Sequence, residues 1–233
     1  NQEGSLYTEN NLTIDAEQLT LNGTGTQAKS IDISGKLNNN TNIYTENDLI
    51  IGSDTVNKGK MISQKSLTIN GSVDSDNLIY AKDEVKIAGT LNNKSELQSE
   101  NNINVGGDTT NSGKVVASKK LDINGKLDNT GTVYAEESIK TGNLNNSGSV
   151  QSKGDIVAGD IKNDGKILTE SNLKIKNLEN SKEIITGKQI TVNNIENKTG
   201  AKLSSGEKIT ANGNVVNHGT VKVNEDLNIT GDL

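Results

Sequence analysis

The chain of 233 residues contains no cysteine, proline, tryptophan or phenylalanine, and aromatic residues make up only 2% of it. Without cysteine, neither disulfides nor thiolate metal sites are available. Arginine is also missing, so all 24 basic residues are lysines and the commonest base of polysaccharide lyases is absent. A hydrophobic content of 30% is too low for an ordinary compact core. Composition alone therefore leaves a disordered chain and a repetitive chain as the two interpretations.

Long apolar runs and one-sided charge are lacking as well. No apolar stretch approaches the roughly 18 residues that a membrane span needs, so we expect no membrane insertion. The net charge is −6 with lysines and acids interspersed, which gives no basic stripe for nucleic acid. The opening residues 1–10 show neither an initiator methionine nor a signal-peptide pattern. We interpret residues 1–233 as one repeat domain excised from a longer protein, with uncapped strand edges at both ends and end-to-end self-association as the consequence.

What the sequence does contain is a repeat of 17 to 19 residues, which fills the whole chain in thirteen copies. A second apolar column lies six residues after the first, from Leu12 to Leu227, and a third follows two residues later, from Ile14 to Ile229. Spacing this regular is not typical of disorder. The first column, which follows an Asn-x-Gly element in many copies, consists of Leu6, Gly25 as the exception, Ile43, Met61, Ile79, Leu97, Val115, Val133, Val150, Ile167, Ile184, Leu203 and Val221.

Within each copy the apolar residues alternate with polar ones, which predicts short strands with one buried face. In the copy at 127–142 we expect these residues to point inward: Leu127, Val133, Ala135, Ile139 and Thr141. A unit this short cannot enclose a core alone, but it can if each strand pairs with its equivalent in the next copy. The sequence therefore predicts an all-β fold, a right-handed parallel β-helix of about 13 turns with three short strands per turn; the hand rests on the general rule for parallel crossovers.

An asparagine recurs four residues before the first column. Stacked amides can hydrogen-bond from one turn to the next, as in cross-β arrays, and can also satisfy the backbone at a corner. Glycines two residues later complete the corner. We expect a structural ladder of Asn39, Asn57, Asn93, Asn111, Asn129, Asn146, Asn163, Asn180 and Asn217.

All four tyrosines directly follow a first-column residue, so we expect them on one outer face. Exposed rings can stack on sugars, which makes them candidate surface-binding residues. The alternative is that tyrosine simply suits a half-exposed strand. The four candidates are Tyr7, Tyr44, Tyr80 and Tyr134.

No other motif predicts chemistry. The acidic pairs Asp83-Glu84 and Glu136-Glu137 fall at corners, where solvated charges are expected. Gly106-Gly107-Asp108 resembles a calcium-binding repeat but occurs once, and the single histidine, His218, cannot form a zinc site without further ligands. Long insertions that could wall a groove are absent. We therefore expect no catalytic, metal or cofactor site, no cofactor, and no enzymatic activity.

The pattern of residues 127–142, "LDNTGTVYAEESIKTG", and of "LNNSGSVQSKGDIVAG" after it resembles the haemagglutinin repeats of filamentous haemagglutinin-like exoproteins of two-partner secretion systems. The resemblance covers all thirteen copies. It implies a right-handed β-helical shaft on the surface of Gram-negative bacteria, found in adhesins and in contact-dependent growth-inhibition toxins. It also implies secretion through an outer-membrane partner and contact with a receptor or glycan on a host or neighbouring cell.

Two functions follow as hypotheses. The first is a non-enzymatic extended shaft of a secreted surface exoprotein, which supports adhesion or toxin delivery. The second is a carbohydrate-binding or carbohydrate-processing β-helix, because polysaccharide enzymes of the pectin-lyase type share this fold. A groove with convergent acids would favour the second hypothesis.

Overall fold

The computed structural model describes all residues 1–233 and is entirely β, with 38 strands and no helix. No helix is therefore present that could cross a membrane. The chain divides into two compact units, Asn1–Ser118 (unit 1) and Lys119–Leu233 (unit 2). The expectation of one domain over residues 1–233 stays a prediction.

Unit 1 is a parallel β-solenoid with three strands per turn, and each strand pairs with the strand three places further along the chain. Its first sheet contains β1 (Ser5–Tyr7), β4 (Gly25–Ala28), β7 (Ile43–Thr45), β10 (Met61–Ser63), β13 (Ile79–Ala81), β16 (Glu96–Ser99) and β19 (Lys114–Ala117). Its second sheet contains β2 (Asn11–Ile14), β5 (Ser30–Ile33), β8 (Leu49–Ile51), β11 (Leu67–Ile69), β14 (Val85–Ile87) and β17 (Ile103–Val105). Its third sheet contains β3 (Gln18–Leu21), β6 (Lys36–Asn39), β9 (Thr55–Asn57), β12 (Val73–Ser75), β15 (Leu91–Asn93) and β18 (Thr109–Asn111).

Unit 2 repeats this arrangement, so the two units together comprise about twelve turns, close to the expected thirteen. Its first sheet contains β22 (Thr132–Ala135), β25 (Ser149–Ser152), β28 (Lys166–Thr169), β31 (Glu183–Thr186), β34 (Lys202–Ser205) and β37 (Thr220–Val223). Its second sheet contains β20 (Lys120–Ile123), β23 (Ser138–Lys140), β26 (Ile156–Val157), β29 (Leu173–Lys174), β32 (Ile190–Val192), β35 (Ile209–Ala211) and β38 (Leu227–Ile229). Its third sheet contains β21 (Leu127–Asn129), β24 (Leu144–Asn146), β27 (Ile161–Asn163), β30 (Asn177–Asn180), β33 (Asn194–Asn197) and β36 (Val215–Asn217).

A typical strand points two side chains inward and the one between them outward. In β7, for example, Ile43 and Thr45 are buried and Tyr44 is half-buried. Pairing in register places like residues above one another, as with Ile43, Met61 and Ile79 in three successive turns. Burying each such side chain contributes roughly 1.5–3 kcal/mol. A narrow shared core therefore forms from few apolar residues, which accounts for the low hydrophobic content.

The register of the second copy differs from the expected one. Thr26, not Gly25, occupies the first column, because Thr26 pairs with Leu6 on one side and Ile43 on the other. Only 2% of Thr26 is exposed, and its methyl group fills the core where a glycine would leave a void. The shift by one residue makes the first step longer and the second step shorter than the average repeat.

Consecutive strands are joined by short corners. The longest corner is Lys198–Ala201, between β33 and β34. It contains Gly200, whose φ of 79° is the only positive φ of the chain. The N–H of Ala201 donates to the carbonyl of Lys198 at 3.0 Å, which closes a tight turn that favours glycine at this position. No corner is long enough to rise above the sheets and wall a cleft.

Candidate functional site

The recurring asparagines form a buried hydrogen-bonded column at the end of the third sheet. In unit 2 each amide donates to the next: Asn129 to Asn146 at 2.8 Å, Asn146 to Asn163 at 2.9 Å and Asn163 to Asn180 at 2.9 Å. The column continues from Asn180 through Asn197 to Asn217, with both bonds at 2.8 Å. The sequence reasoning did not include Asn197, because the long corner at 198–201 shifts its distance to the next first-column residue.

The same amides also satisfy backbone carbonyls at the corner. The Nδ2 of Asn129, for example, lies 3.1 Å from the carbonyl oxygen of Gly131 and 3.2 Å from that of Ser149 in the next turn. Each asparagine therefore ties its own corner to the following turn, in a position that is at most 2% exposed over Asn129, Asn146 and Asn163. A buried and bonded column of this kind is a structural element, not a ligand site.

In unit 1 the column is interrupted. Asn39 donates to Asn57 and Asn93 donates to Asn111, both at 2.8 Å. Between these pairs stands Ser75, whose Oγ accepts from Asn57 at 3.1 Å and donates to the carbonyl of Asn77 at 2.7 Å. The serine is too short to reach Asn93, so no side-chain bond joins the two pairs.

The tyrosines lie on the outer face of the first sheet, as the middle residues of their strands or at a strand end. Tyr44 and Tyr80 of unit 1 are separated by Ile62 in the pairing register, so their rings are not adjacent. Tyr7 is 67% exposed. Tyr134 lies in unit 2 and pairs in register with Gln151. The column therefore offers separate rings, not a continuous aromatic platform.

Two of the tyrosine hydroxyls are engaged within the chain. The Tyr80 hydroxyl donates to the Glu100 carboxylate, and this bond, with burial adding to it, raises the pKa of Tyr80 to about 12. The Tyr134 hydroxyl donates to Glu136 at 2.9 Å; burial first and this bond second raise the pKa of Tyr134. Both contacts fit half-exposed strand residues, and whether the rings bind a ligand stays a prediction.

An open groove of about 670 Å³ lies on the outer face of the third sheet in unit 2. It follows the strands whose first inward residues are Leu144, Ile161, Leu178 and Ile195. These residues are spaced by 17, whereas the corresponding residues of unit 1, such as Leu37 and Thr55, are spaced by 18. The groove thus coincides with the shortened turns.

The missing residue is located at the corner between the second and third sheets. From Leu121 to Leu127 the chain takes six residues, but from Ile139 to Leu144 it takes five. As a result β26 and β29 each have only two residues. The third-column residues Thr141, Ala158 and Ile175 therefore lie just beyond their strands, where they are buried but 6–8% exposed.

One side of the groove is a second, exposed column of polar side chains, which immediately precedes the third-sheet strands. Asn177 donates to Asp160 at 2.7 Å, and Asn194 donates to Asn177 at 2.8 Å. The oxygen of Asn143 accepts the N–H of Asp160, and that of Asn194 accepts the N–H of Asn214, both at 2.9 Å. These bonds fix the amide planes, while hydrogen-bonding atoms on each side chain remain open to solvent.

The floor of the groove is the outward column Asn145, Lys162, Glu179 and Glu196, each directly in register with the next. Glu179 is paired with Lys198. Lys162 and Glu196 form neither an ion pair nor a side-chain hydrogen bond. Glu179 and Glu196 are like charges opposite each other on neighbouring strands, which is an unfavourable arrangement. Sequence reasoning missed this site because it looked for insertions, whereas the five-residue spacing at the shortened corner was the available signal.

The remaining candidates carry no site. No cluster of three or more histidine, aspartate or glutamate side chains is arranged to hold a metal ion. His218 is exposed at the end of the ladder, next to Asn217. Comparisons with protein-family models, with curated proteins and with solved structures gave no match. The class that the fold defines is therefore a parallel β-solenoid.

Proposed function

We propose that this chain is a non-enzymatic, rigid spacer: a segment of the shaft of a secreted bacterial surface protein that supports adhesion or toxin delivery. The observation that carries the proposal is the combination of a buried asparagine column with corners of at most four residues. Each turn is bonded to the next through backbone and side chains, and little of the chain is free to move. Rigidity and regular repetition are what a spacer needs.

The location and the partners are part of the same proposal. The resemblance to haemagglutinin repeats supports a secreted, cell-surface location, an outer-membrane secretion partner, and a receptor or glycan on a host or neighbouring cell. The surface charge supports it too, since lysines and acids pair across turns, as in Lys114–Glu96 at 3.0 Å and Lys153–Glu136 at 2.9 Å. A mixed surface of this kind favours solubility over binding to nucleic acid.

Small-angle X-ray scattering of the chain in dilute solution tests the spacer. A compact domain of this length would have a radius of gyration of about 17 Å, and a spacer should give a clearly larger value together with an elongated distance distribution. A value near 17 Å would contradict the proposal. The enzymatic alternative is tested separately by incubating the chain with polysaccharides and assaying new reducing ends, which we expect to be absent.

A further inference from the structure

We propose that the groove on the third sheet of unit 2 binds a linear, uncharged polysaccharide that lies across successive strands. The inference does not depend on the spacer function, because it concerns only the chemistry of this face. Its volume of about 670 Å³ falls within the range of small-ligand sites, but the groove is open along its length, which suits part of a longer chain better than an enclosed molecule.

The composition of the groove selects the ligand. Five asparagines line it, together with the acids Asp160, Glu179 and Glu196 and the lysines Lys126 and Lys162. Mixed charge with a slight excess of acids disfavours polyanions such as nucleic acid or sulfated glycans. The few apolar contacts disfavour a lipid or an amphipathic helix. Amides, carboxylates and ammonium groups together provide donors and acceptors for neighbouring hydroxyl groups.

A peptide strand is also disfavoured, since a peptide that adds to a sheet needs an edge with unpaired backbone groups. The groove lies on a face, where the backbone groups of β24, β27, β30 and β33 already pair with one another. Recognition must therefore come from side chains, and those side chains recur once per strand, at intervals of about 4.8 Å. A ligand that presents hydroxyl groups along an extended, repeating chain matches this pattern.

Two features prepare the groove for such a ligand. The bonds from Asn177 to Asp160 and from Asn194 to Asn177 hold the amides in place before binding, which lowers the ordering cost. On the floor, Lys162 and Glu196 are unpaired and Glu196 faces Glu179, although the same column pairs Asn145 with Asp128 at 2.7 Å. Local arrangements that cost stability are typical of functional surfaces.

The test is isothermal titration calorimetry of the whole chain with four neutral polymers, namely dextran, soluble amylose, galactomannan and hydroxyethylcellulose, and with dextran sulfate as the anionic comparator. At least one neutral polymer is expected to bind, and dextran sulfate is not. The double variant Lys162→Ala/Glu196→Ala keeps the net charge and removes no internal contact. We expect it to weaken binding about tenfold, as loss of two hydrogen-bonding groups would.

The matched control is Lys140→Ala/Glu225→Ala, which makes the same change in charge outside the groove and should leave affinity unchanged. Circular dichroism of both variants checks that the fold is retained. Failure of all four neutral polymers to bind, binding of dextran sulfate alone, or equal effects of the two double variants would each overturn the inference. None of these outcomes affects the scattering result on which the spacer function depends.

Discussion

Units 1 and 2 are built from the same turn but differ at two corners. In unit 1 the third-sheet residues Thr55, Val73 and Leu91 follow one another at 18 residues, and Ser75 interrupts the asparagine column. In unit 2 the steps from Leu127 to Ile195 are 17 residues and the column is continuous from Asn129 to Asn217.

The comparison shows which corner tolerates change. The corner after the asparagine column keeps its length, since four residues separate Asn57 from Met61 and also Asn129 from Val133. The corner between the second and third sheets loses a residue in unit 2, yet its backbone remains bonded across turns, as from Gly142 to Gly125 at 2.8 Å. The core needs the first corner, so variation, and with it the groove, is confined to the second.

The largest effect is expected from a side chain at the asparagine corner of unit 2. A Cβ added at Gly148 would lie 2.1 Å from the carbonyl oxygen of Gly131 in the preceding turn, so the backbone must shift. Gly148→Ala should therefore lower the free energy of unfolding by about 3 kcal/mol, measured by urea denaturation. Gly25→Ala in unit 1 is the control, because its nearest neighbour would be 3.6 Å away. Equal losses for both variants would contradict the close-packed corner.

The next effect comes from breaking the continuous column. Asn163→Ala removes an amide that bonds Asn180 at 2.9 Å and the carbonyl of Gly165 at 3.0 Å, and it leaves the Nδ2 of Asn146 without its side-chain acceptor. We expect a loss of about 2 kcal/mol in urea denaturation. Asn163→Ser, which copies unit 1, should lose less, because the hydroxyl can still accept from Asn146. A serine variant as unstable as the alanine variant would mean that the hydroxyl of Ser75 contributes nothing in unit 1.

Most of this architecture follows from the sequence, because strand period and asparagine spacing repeat thirteen times and errors in single copies average out. The position of Thr26 did not follow, since one irregular copy offers no repeat to decide between neighbouring registers. The groove did not follow either. The opposition of Glu179 and Glu196 depends on which strands pair, and the freedom of Lys162 depends on side-chain geometry that spacing does not contain.

A third prediction concerns acid stability at the corner before the second sheet. Burial acts to raise the pKa of Asp155, but hydrogen bonds from Ser171 at 2.7 Å, Asn172 and Lys174 together outweigh it and lower the pKa to about 2. The folded pKa is below the unfolded value of about 3.9, so this contribution is present above pH 4 and is lost as the pH falls from 4 towards 2.

After allowance for solvent screening of this partly exposed group, the contribution is about 1 kcal/mol. Asp155→Asn should therefore lower stability at pH 7, with a difference from the unmodified chain that shrinks towards pH 2, as thermal denaturation at several pH values would measure. Asp48→Asn removes the acid at the equivalent corner of unit 1, where the Oδ1 accepts only the N–H of Ser66, and serves as the control. A difference that stays constant with pH would contradict the assignment.

The smallest expected effect completes the column of unit 1. Ser75→Asn places an amide between Asn57 and Asn93, where it can accept from the first and donate to the second, as Asn146 does between Asn129 and Asn163. The gain of one side-chain bond is partly offset by loss of the serine bond to the carbonyl of Asn77, so the net stabilisation should be about 0.5 kcal/mol in urea denaturation. Ser75→Ala is the control and should be destabilising. If the asparagine variant also loses stability, the core at Ser75 has no room for an amide, and the break in the column is a packing requirement of unit 1.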